Sequence, residues 1–584
     1  MPHRSFLVPA LLGSYLAIGG CSGGSGGDAP GGCVSCAGGA SHAGAAADAD
    51  AASSAGGDRG AGGASGTGGV SAASSGATGS GGSTGSGGTT GAFGMTGSGG
   101  AGGTTGAGGT TGGVGGTMAT GGAATGGATG GAGGSTSGGA RAGWNLVAVD
   151  TAKRTYLDYV LVPASGAWAP DTARFPALAT WEGQTTYSAL RFQPFTPGDV
   201  LTSDQIMALL PATRRASHSI SITAAPYSAS PAPADATSAI QKALDDAAKI
   251  ATQDAPVDVL VPAGTFDYSA VLRVGANVRL RRFPEDSGGA LQATNPSNGA
   301  VHLAGDRSGA LFLSLNFAAT ARLAAAQQSG IWVGTDNQGL PFVHDALVVG
   351  NDVAQSASAH VFGYAEEGGL WAFNYAHDGY SDAFHHTAGS RYCQVVGNRA
   401  QTSSTRGDDL FAFVSYQGDG DIVHHCAAIA NWGRDGAARG LSVVGGEFVL
   451  FDHNDIDRTK WAGVYLAQEN SYKTYGASDV TVSNNTIAHA NLGGSHDGLL
   501  AYSDAPGESH ASATQGSVPN QLQRIAIIGN TISDTAAGTG NGFGIEIRSS
   551  VDTGEVTDNV LSGNKPPQLV VNGTHFTTSG NQLH

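Results

Sequence analysis

Val480-Thr481-Val482-Ser483-Asn484-Asn485-Thr486-Ile487 and, further on, Ile525-Ala526-Ile527-Ile528-Gly529-Asn530-Thr531-Ile532 are two statements of one pattern. An apolar residue, two spacers, Asn, a spacer and a small or apolar residue recur around Asn351, Asn374, Asn398, Asn454, Asn485, Asn530, Asn559 and Asn581, with His425 taken as the occupant of the slot after Asn398. Most steps are about 22 to 31 residues, and the longer one from Asn485 to Asn530 must hold a loop. Such a step is one rung of a parallel β-helix with three short strands per turn. Asn at a fixed turn position can stack its amides into a ladder and accepts the left-handed backbone of a sharp bend.

Upstream of the repeat, Asp235-Ala236-Thr237 offers helix caps, and Ile240, Ala243, Leu244 and Ala247 share one helical face. Val257-Asp258-Val259-Leu260-Val261-Pro262-Ala263-Gly264-Thr265-Phe266 follows, an alternating strand that runs into a turn. A helix followed by this strand resembles the entry to pectin-lyase-like β-helices, where the helix plugs the open end of the coil. The expected fold is therefore all-β: a right-handed parallel β-helix over 231–584 with an N-terminal capping helix. Residues 141–230, with short apolar and aromatic runs but no repeat, read as an accessory β-rich segment.

Residues 21–140 are almost wholly Gly, Ser, Thr and Ala. That composition offers too little apolar surface to offset the entropy of ordering, so a disordered tether is expected. Residues 1–20 read as an export signal, with His3 and Arg4 before an apolar stretch too short to span a bilayer. Ile18-Gly19-Gly20-Cys21 is similar to a bacterial lipobox, which implies a lipid on Cys21, a membrane partner through that anchor, and a place in the bacterial cell envelope. Ser22 after it, by likeness to Gram-negative lipoproteins, favours the outer membrane or cell surface. Cys33 and Cys36 form a lone pair in the tether, which supports no zinc site. Cys393 and Cys426 fall at different places in their repeats and read as buried free thiols. A net charge of −17 without a basic cluster excludes a nucleic-acid partner. A monomer is expected.

A second strand can be aligned from rung to rung: Asp382-Ala383-Phe384-His385, Asp408-Asp409-Leu410-Phe411, Arg439-Gly440-Leu441-Ser442, Ala462-Gly463-Val464-Tyr465, Asp497-Gly498-Leu499-Leu500 and Phe543-Gly544-Ile545-Glu546. The third position is always apolar and should point inward. Equivalent positions of stacked rungs lie about 4.8 Å apart, so Asp382, Asp408 and Arg439 are expected in one vertical row with His385 near it. One of His385 and His386 should face inward. Glu469 and Tyr416 are candidates for binding sugar hydroxyls, and Trp432, Trp461, Tyr472 and Tyr475 for stacking on sugar faces.

The motifs Tyr380-Ser381-Asp382-Ala383, Gly407-Asp408-Asp409 and Ala438-Arg439-Gly440 resemble the N-T-D-G, G-D-D and G-H-G motifs of the polygalacturonases of glycoside hydrolase family 28. The resemblance implies an inverting glycosidase with Asp408 as general acid and Asp382 and Asp409 activating water. Two carboxylates about 5 Å apart repel by about 3 kcal/mol at an effective dielectric near 20, enough to keep one protonated. Both members of the Asp pair reach solvent only if their strand begins with a bend, since neighbours in a straight strand face opposite ways. The pattern breaks at the next rung, where the family's R-I-K meets Gly463-Val464-Tyr465-Leu466-Ala467, so Tyr465 stands where a cation is expected and Glu469 would repel a uronate. The expected substrate is therefore a neutral or mixed polysaccharide. A lyase or C5-epimerase on uronic acid polymers, using Arg439, His385 or Tyr416, is one alternative, and a non-catalytic glycan-binding or adhesive surface protein is another. No calcium-binding run of G-G-x-G-x-D type occurs, so neither metal nor cofactor is assigned.

Overall fold

The computed structural model describes residues 196–209, 216 and 218–584, apart from 287, 336–340, 404, 420 and 513–515. It also gives the backbone of Trp144–Val149, Tyr159–Pro163 and Tyr187–Ser188, which form an antiparallel three-stranded sheet. The export signal, Cys21, the tether and the Cys33–Cys36 pair lie outside the described residues. Among those described, no helix is long and apolar enough to cross a membrane.

The chain winds into a right-handed parallel β-helix, the sense that parallel crossovers take. Three long parallel sheets run its length. One has eleven strands, from Leu272–Val274 to Leu569–Val571; a second runs from His218–Ser221 to His575–Ser579; the third has twelve, from Gly264–Tyr268 to Gln582–Leu583. His218–Ser221 already pairs in parallel with Val257–Val261, so the coil takes in residues expected in the accessory segment. Side chains alternate across each strand, and the inward set forms one continuous core that includes Phe384, Phe411, Leu441, Val464, Leu499 and Ile545.

Helix Thr237–Ile250 closes the N-terminal end, burying Ile240, Ala243, Leu244 and Ala247 against that core. Asp235, directly before the N-cap residue Ala236, accepts from Thr237 N at 2.9 Å. The arrangement hides a sheet edge that would otherwise offer unpaired backbone groups to other chains.

The Asn ladder has nine members, and the slot given to His425 belongs to Asn431 instead. From Asn351 through Asn374, Asn398, Asn431, Asn454, Asn485, Asn530 and Asn559 to Asn581, each Nδ2 donates to the next Oδ1 at 2.8–3.1 Å. His425 lies instead in the strand His424–Ile429, within hydrogen-bonding distance of His424 and packed on Tyr392 and Phe448. The left-handed backbone also falls elsewhere than expected. It is the residue before each ladder Asn that has positive φ: Gly350, Phe373, Gly397, Ala430, His453, Asn484, Gly529, Asp558 and Gly580. Five of these are not glycine, and a side chain there costs roughly 1–2 kcal/mol. The ladder holds them in that conformation by binding both the amide and the backbone N–H beside it.

Asn454 shows what each member carries. It accepts from Asn431 N and Nδ2, both at 2.9 Å, and donates to Ala428 O at 2.9 Å and Asn485 Oδ1 at 2.8 Å. Asn454→Ala leaves these buried groups without partners at roughly 1–3 kcal/mol each. A loss of at least about 3 kcal/mol in denaturant unfolding is expected; an unchanged midpoint would show that water replaces the ladder.

Candidate functional site

The site lies on the outer face of the eleven-stranded sheet, at the turns entering Phe384–Thr387, Phe411–Val414, Leu441–Val444 and Val464–Gln468. In these strands Phe384, Phe411, Leu441 and Val464 stack in register. Two residues earlier the row therefore reads Asp382, Asp409, Arg439, Ala462. The expected row of Asp382, Asp408 and Arg439 is displaced by one: Asp409 occupies it, and Asp408 precedes it in the turn. The cause is the bend at Leu410, directly before its strand, at the place where Ala383 bends before Phe384 on the neighbouring rung. It lets Leu410 and Phe411 both reach the core while both carboxylates stay on the site side.

The carboxyl groups of Asp382, Asp408 and Asp409 come together, with one oxygen of each within 4.8 Å of the others. Five of their six oxygens meet fixed donors. Asp382 Oδ2 pairs with His385 Nδ1 at 2.7 Å, and its Oδ1 accepts from Asp409 N at 2.9 Å. Asp409 Oδ1 accepts from Arg439 N at 3.0 Å and its Oδ2 from Ser442 Oγ at 2.6 Å. Asp408 Oδ2 accepts from Arg322 Nη2 at 2.7 Å.

These surroundings drive the acids apart. Burial and the negative charges of Asp382 and Asp409 push Asp408 up to about 7, against the opposing pull of Arg322 and Arg439. Burial also acts to raise Asp382. The hydrogen bond and charge of His385, then Arg322 and the Asp409 N–H, outweigh it and hold Asp382 below the usual carboxylate range. Two neighbouring carboxyls thus titrate on opposite sides of their ordinary value, the arrangement that separates an acid from a base.

Beside the trio lies a second group. Arg439 Nη2 binds Glu469 Oε1 at 2.8 Å, its Nη1 lies 3.6 Å from Asp409 Oδ1, and its guanidinium covers the rings of Tyr465 and Trp461 at 4.3 and 5.0 Å. Tyr465 Oη donates to Glu469 Oε1 at 2.7 Å and lies 2.6 Å from Tyr502 Oη. Burial, followed by the Glu469 charge, pushes the Tyr465 phenol well above its ordinary pKa. Tyr416 packs on the same outer cluster, and its phenol is raised by burial and then by Asp382 and Asp408.

All eight catalytic and binding candidates, Asp382, Asp408, Asp409, His385, Tyr416, Arg439, Tyr465 and Glu469, therefore fall in one neighbourhood. His385 faces out toward the trio, whereas His386 faces inward and stacks on Trp371 at 3.7 Å. The aromatic candidates divide. Trp461 lies at the site, and Tyr472 is 42 % exposed and feels the charges of Glu469, Arg439 and Asp408. Tyr475 is fully buried and bonded to Ala511 O, and Trp432 belongs to the third sheet with Arg399 and Arg434 over its ring.

Four contributors were not foreseen. Ser442 was legible as the outward neighbour of Leu441. Tyr502 and His496 come from the rung after Tyr465. Burial, then Arg439 and Arg548, lowers the His496 imidazole to about 3, which keeps it neutral beside Trp461 and Tyr465. Arg322 arrives from a loop 86 residues before Asp408, and no local motif marks it.

No protein-family model matches this chain, and no curated protein sequence matches it. Among solved structures, the chain is similar to the A-module of the Azotobacter vinelandii mannuronan C-5 epimerase AlgE6, at 15% identity over 62% of this chain and 99% of that one, TM-score 0.45. It is also similar to the catalytic unit of a GH87 alpha-1,3-glucanase from Streptomyces thermodiastaticus, at 14% identity over 64% and 69% of the two chains, TM-score 0.44. A third is PfbA, a surface adhesin of Streptococcus pneumoniae, at 13% identity over 62% and 91%, TM-score 0.43.

Proposed function

We propose that this protein is a polysaccharide-cleaving glycoside hydrolase in which Asp408 is the general acid and Asp382 and Asp409 orient and deprotonate water. The observation that carries this reading is the opposed displacement of Asp408 and Asp382 within one carboxylate trio. The hydrogen bond from Arg322 occupies Asp408 Oδ2, so Oδ1 is the oxygen left to carry the proton to the leaving group. Asp382 and Asp409 have both oxygens tied to donors. Those bonds fix their orientation and keep Asp382 ionised, and with both oxygens engaged they are handicapped as nucleophiles, which favours single displacement with inversion.

One dimension favours the other stereochemistry. The nearest oxygens lie within 4.8 Å, closer than the roughly 6.5–9.5 Å that separates acid and base in most inverting enzymes. Double displacement through Asp382 or Asp409 is therefore the second reading, and the anomeric form of the first product distinguishes the two.

The substrate in this reading is neutral or mixed. The two arginines at the site are already engaged, Arg322 by Asp408 and Arg439 by Glu469 and Asp409. Recruiting either for a uronate carboxylate would leave a largely buried acid unpaired, which opposes binding. An elimination mechanism needs a base, and both Tyr416 and Tyr465 hold their protons more tightly than usual. A lipid on Cys21 would present the coil outside the cell.

The test is digestion of a panel of neutral polysaccharides and of polygalacturonate by the purified protein, followed by proton NMR of the first product. Reducing ends from a neutral glycan, with inverted anomeric configuration, are expected. Rapid cleavage of polygalacturonate would overturn the substrate assignment. Ultraviolet absorbance from an unsaturated uronide would establish a lyase, and binding without cleavage across the panel would leave the adhesive reading standing.

A further inference from the structure

On the inner side of the same sheet, beginning on the strand that Asp382 enters, three residues with metal-binding side chains meet in the dry core. Glu366, His386 and Cys393 are 0 %, 1 % and 0 % exposed. Their carboxylate oxygen, imidazole nitrogen and thiol sulfur all lie within 4.8 Å of one another. Glu366 stands in Glu366–Glu367, His386 is an inward residue of Phe384–Thr387, and Cys393 directly precedes Gln394–Val396. Two neighbouring rungs therefore hold the group from different sheets.

The polar atoms are the unusual part. Glu366 Oε2 and both ring nitrogens of His386 are buried without a hydrogen-bond partner, although such groups are nearly always paired. Trp371 Nε1 donates to Glu366 Oε1 at 3.1 Å, and the Trp371 ring stacks on His386 at 3.7 Å. Together these hold Glu366 Oε2 and His386 Nδ1 facing each other at 3.4 Å. Two ligands of a tetrahedral zinc, with bonds of about 2.0–2.2 Å, stand about 3.4 Å apart. Gly363 makes the room: a Cβ there would lie 2.7 Å from His386 Nδ1 and 2.9 Å from Glu366 Oε2.

We propose that Glu366, His386 and Cys393 supply three ligands to a zinc(II) ion bound inside the coil. A carboxylate, a thiolate and a neutral imidazole balance the two positive charges of zinc, so the filled site carries no net charge, as a dry interior requires. Binding releases the Cys393 proton and the proton that the buried carboxyl holds, and no electron moves. The mixed nitrogen, oxygen and sulfur set suits zinc better than calcium or magnesium, which take oxygen alone. Cys426 stands beside Cys393 on the next rung and shares a side-chain hydrogen bond with it, and it also contacts Ser390 O and His424 O.

Elemental analysis after expression with zinc and dialysis into metal-free buffer tests the site. The wild type should retain about one zinc per chain more than Cys393→Ala, with both variants showing the same far-ultraviolet dichroism. Because Cys393→Ala could fold poorly, the wild type is also refolded with cobalt(II), where a thiolate-to-cobalt charge-transfer band is expected. Equal zinc in wild type and a folded Cys393→Ala overturns the proposal. So does a wild type with neither zinc nor the cobalt band, or one whose mass and peptide map show Cys393 and Cys426 joined as a disulfide.

Discussion

Asp408→Asn should lose roughly 10²–10⁴-fold in glycan cleavage, the usual worth of a positioned general acid, while unfolding at nearly the wild-type temperature. The stability half follows from the site's own electrostatics. The Asp408 side chain keeps 21 % of its surface exposed, and its charge is opposed by Asp382 and Asp409. Removing that charge relieves repulsion and offsets the weakened contact with Arg322. The pH profile supplies a second check. Asp408 works when protonated, so wild-type activity should fall as pH rises through about 7. Asp382 works when ionised and is held below the usual carboxylate range, so the acidic limb should lie low. In Asp408→Asn the residual activity should lack the alkaline limb. A variant that unfolds, or one that retains full activity, would remove Asp408 from the acid role.

Leu441→Asp should abolish folding. Leu441 is fully buried, stacked between Phe411 and Val464 in register on the rungs to either side. Truncation to Ala at such a position costs about 2–5 kcal/mol. An unpaired carboxyl adds several more, which together rival the roughly 5–15 kcal/mol that holds a typical domain folded. Insoluble protein, or soluble protein without a cooperative melt, is expected. A soluble variant melting with the wild type would show that this strand faces outward.

The fold was legible because a coil repeats its instructions. The Asn positions, the capping helix and the inward Phe384, Leu441, Val464, Leu499 and Ile545 could each be read locally. Register at the turns could not. The step from Asn398 to Asn431 is 33 residues, and the extra length in the preceding turn made His425 look better placed than Asn431. The same freedom misplaced Asp408 by one position, since the pattern of a straight strand does not reveal that the chain bends at Leu410. It also hid the pairing of Cys393 with Cys426, which occupy matching places on adjacent rungs and remain buried free thiols. At the site, alternation and motif spacing found the carboxylates and Arg439. Arg322 and Tyr502 come from segments distant in sequence, and only the closed coil brings them in.

The Asn ladder has a mechanical meaning. Its members are separated by as few as 22 residues and as many as 45, yet every rung-to-rung amide contact stays between 2.8 and 3.1 Å. At a spacing of about 4.8 Å per rung, the eight steps span about 38 Å whatever number of residues each consumes. The column acts as a ruler with a fixed pitch, and the loops hang from it as interchangeable attachments. Chain can be inserted where Asn485 leads to Asn530 without shifting Asp382 against Asp409. Substrate preference can therefore be rewritten in the loops while the distance between the reacting groups stays as the backbone sets it.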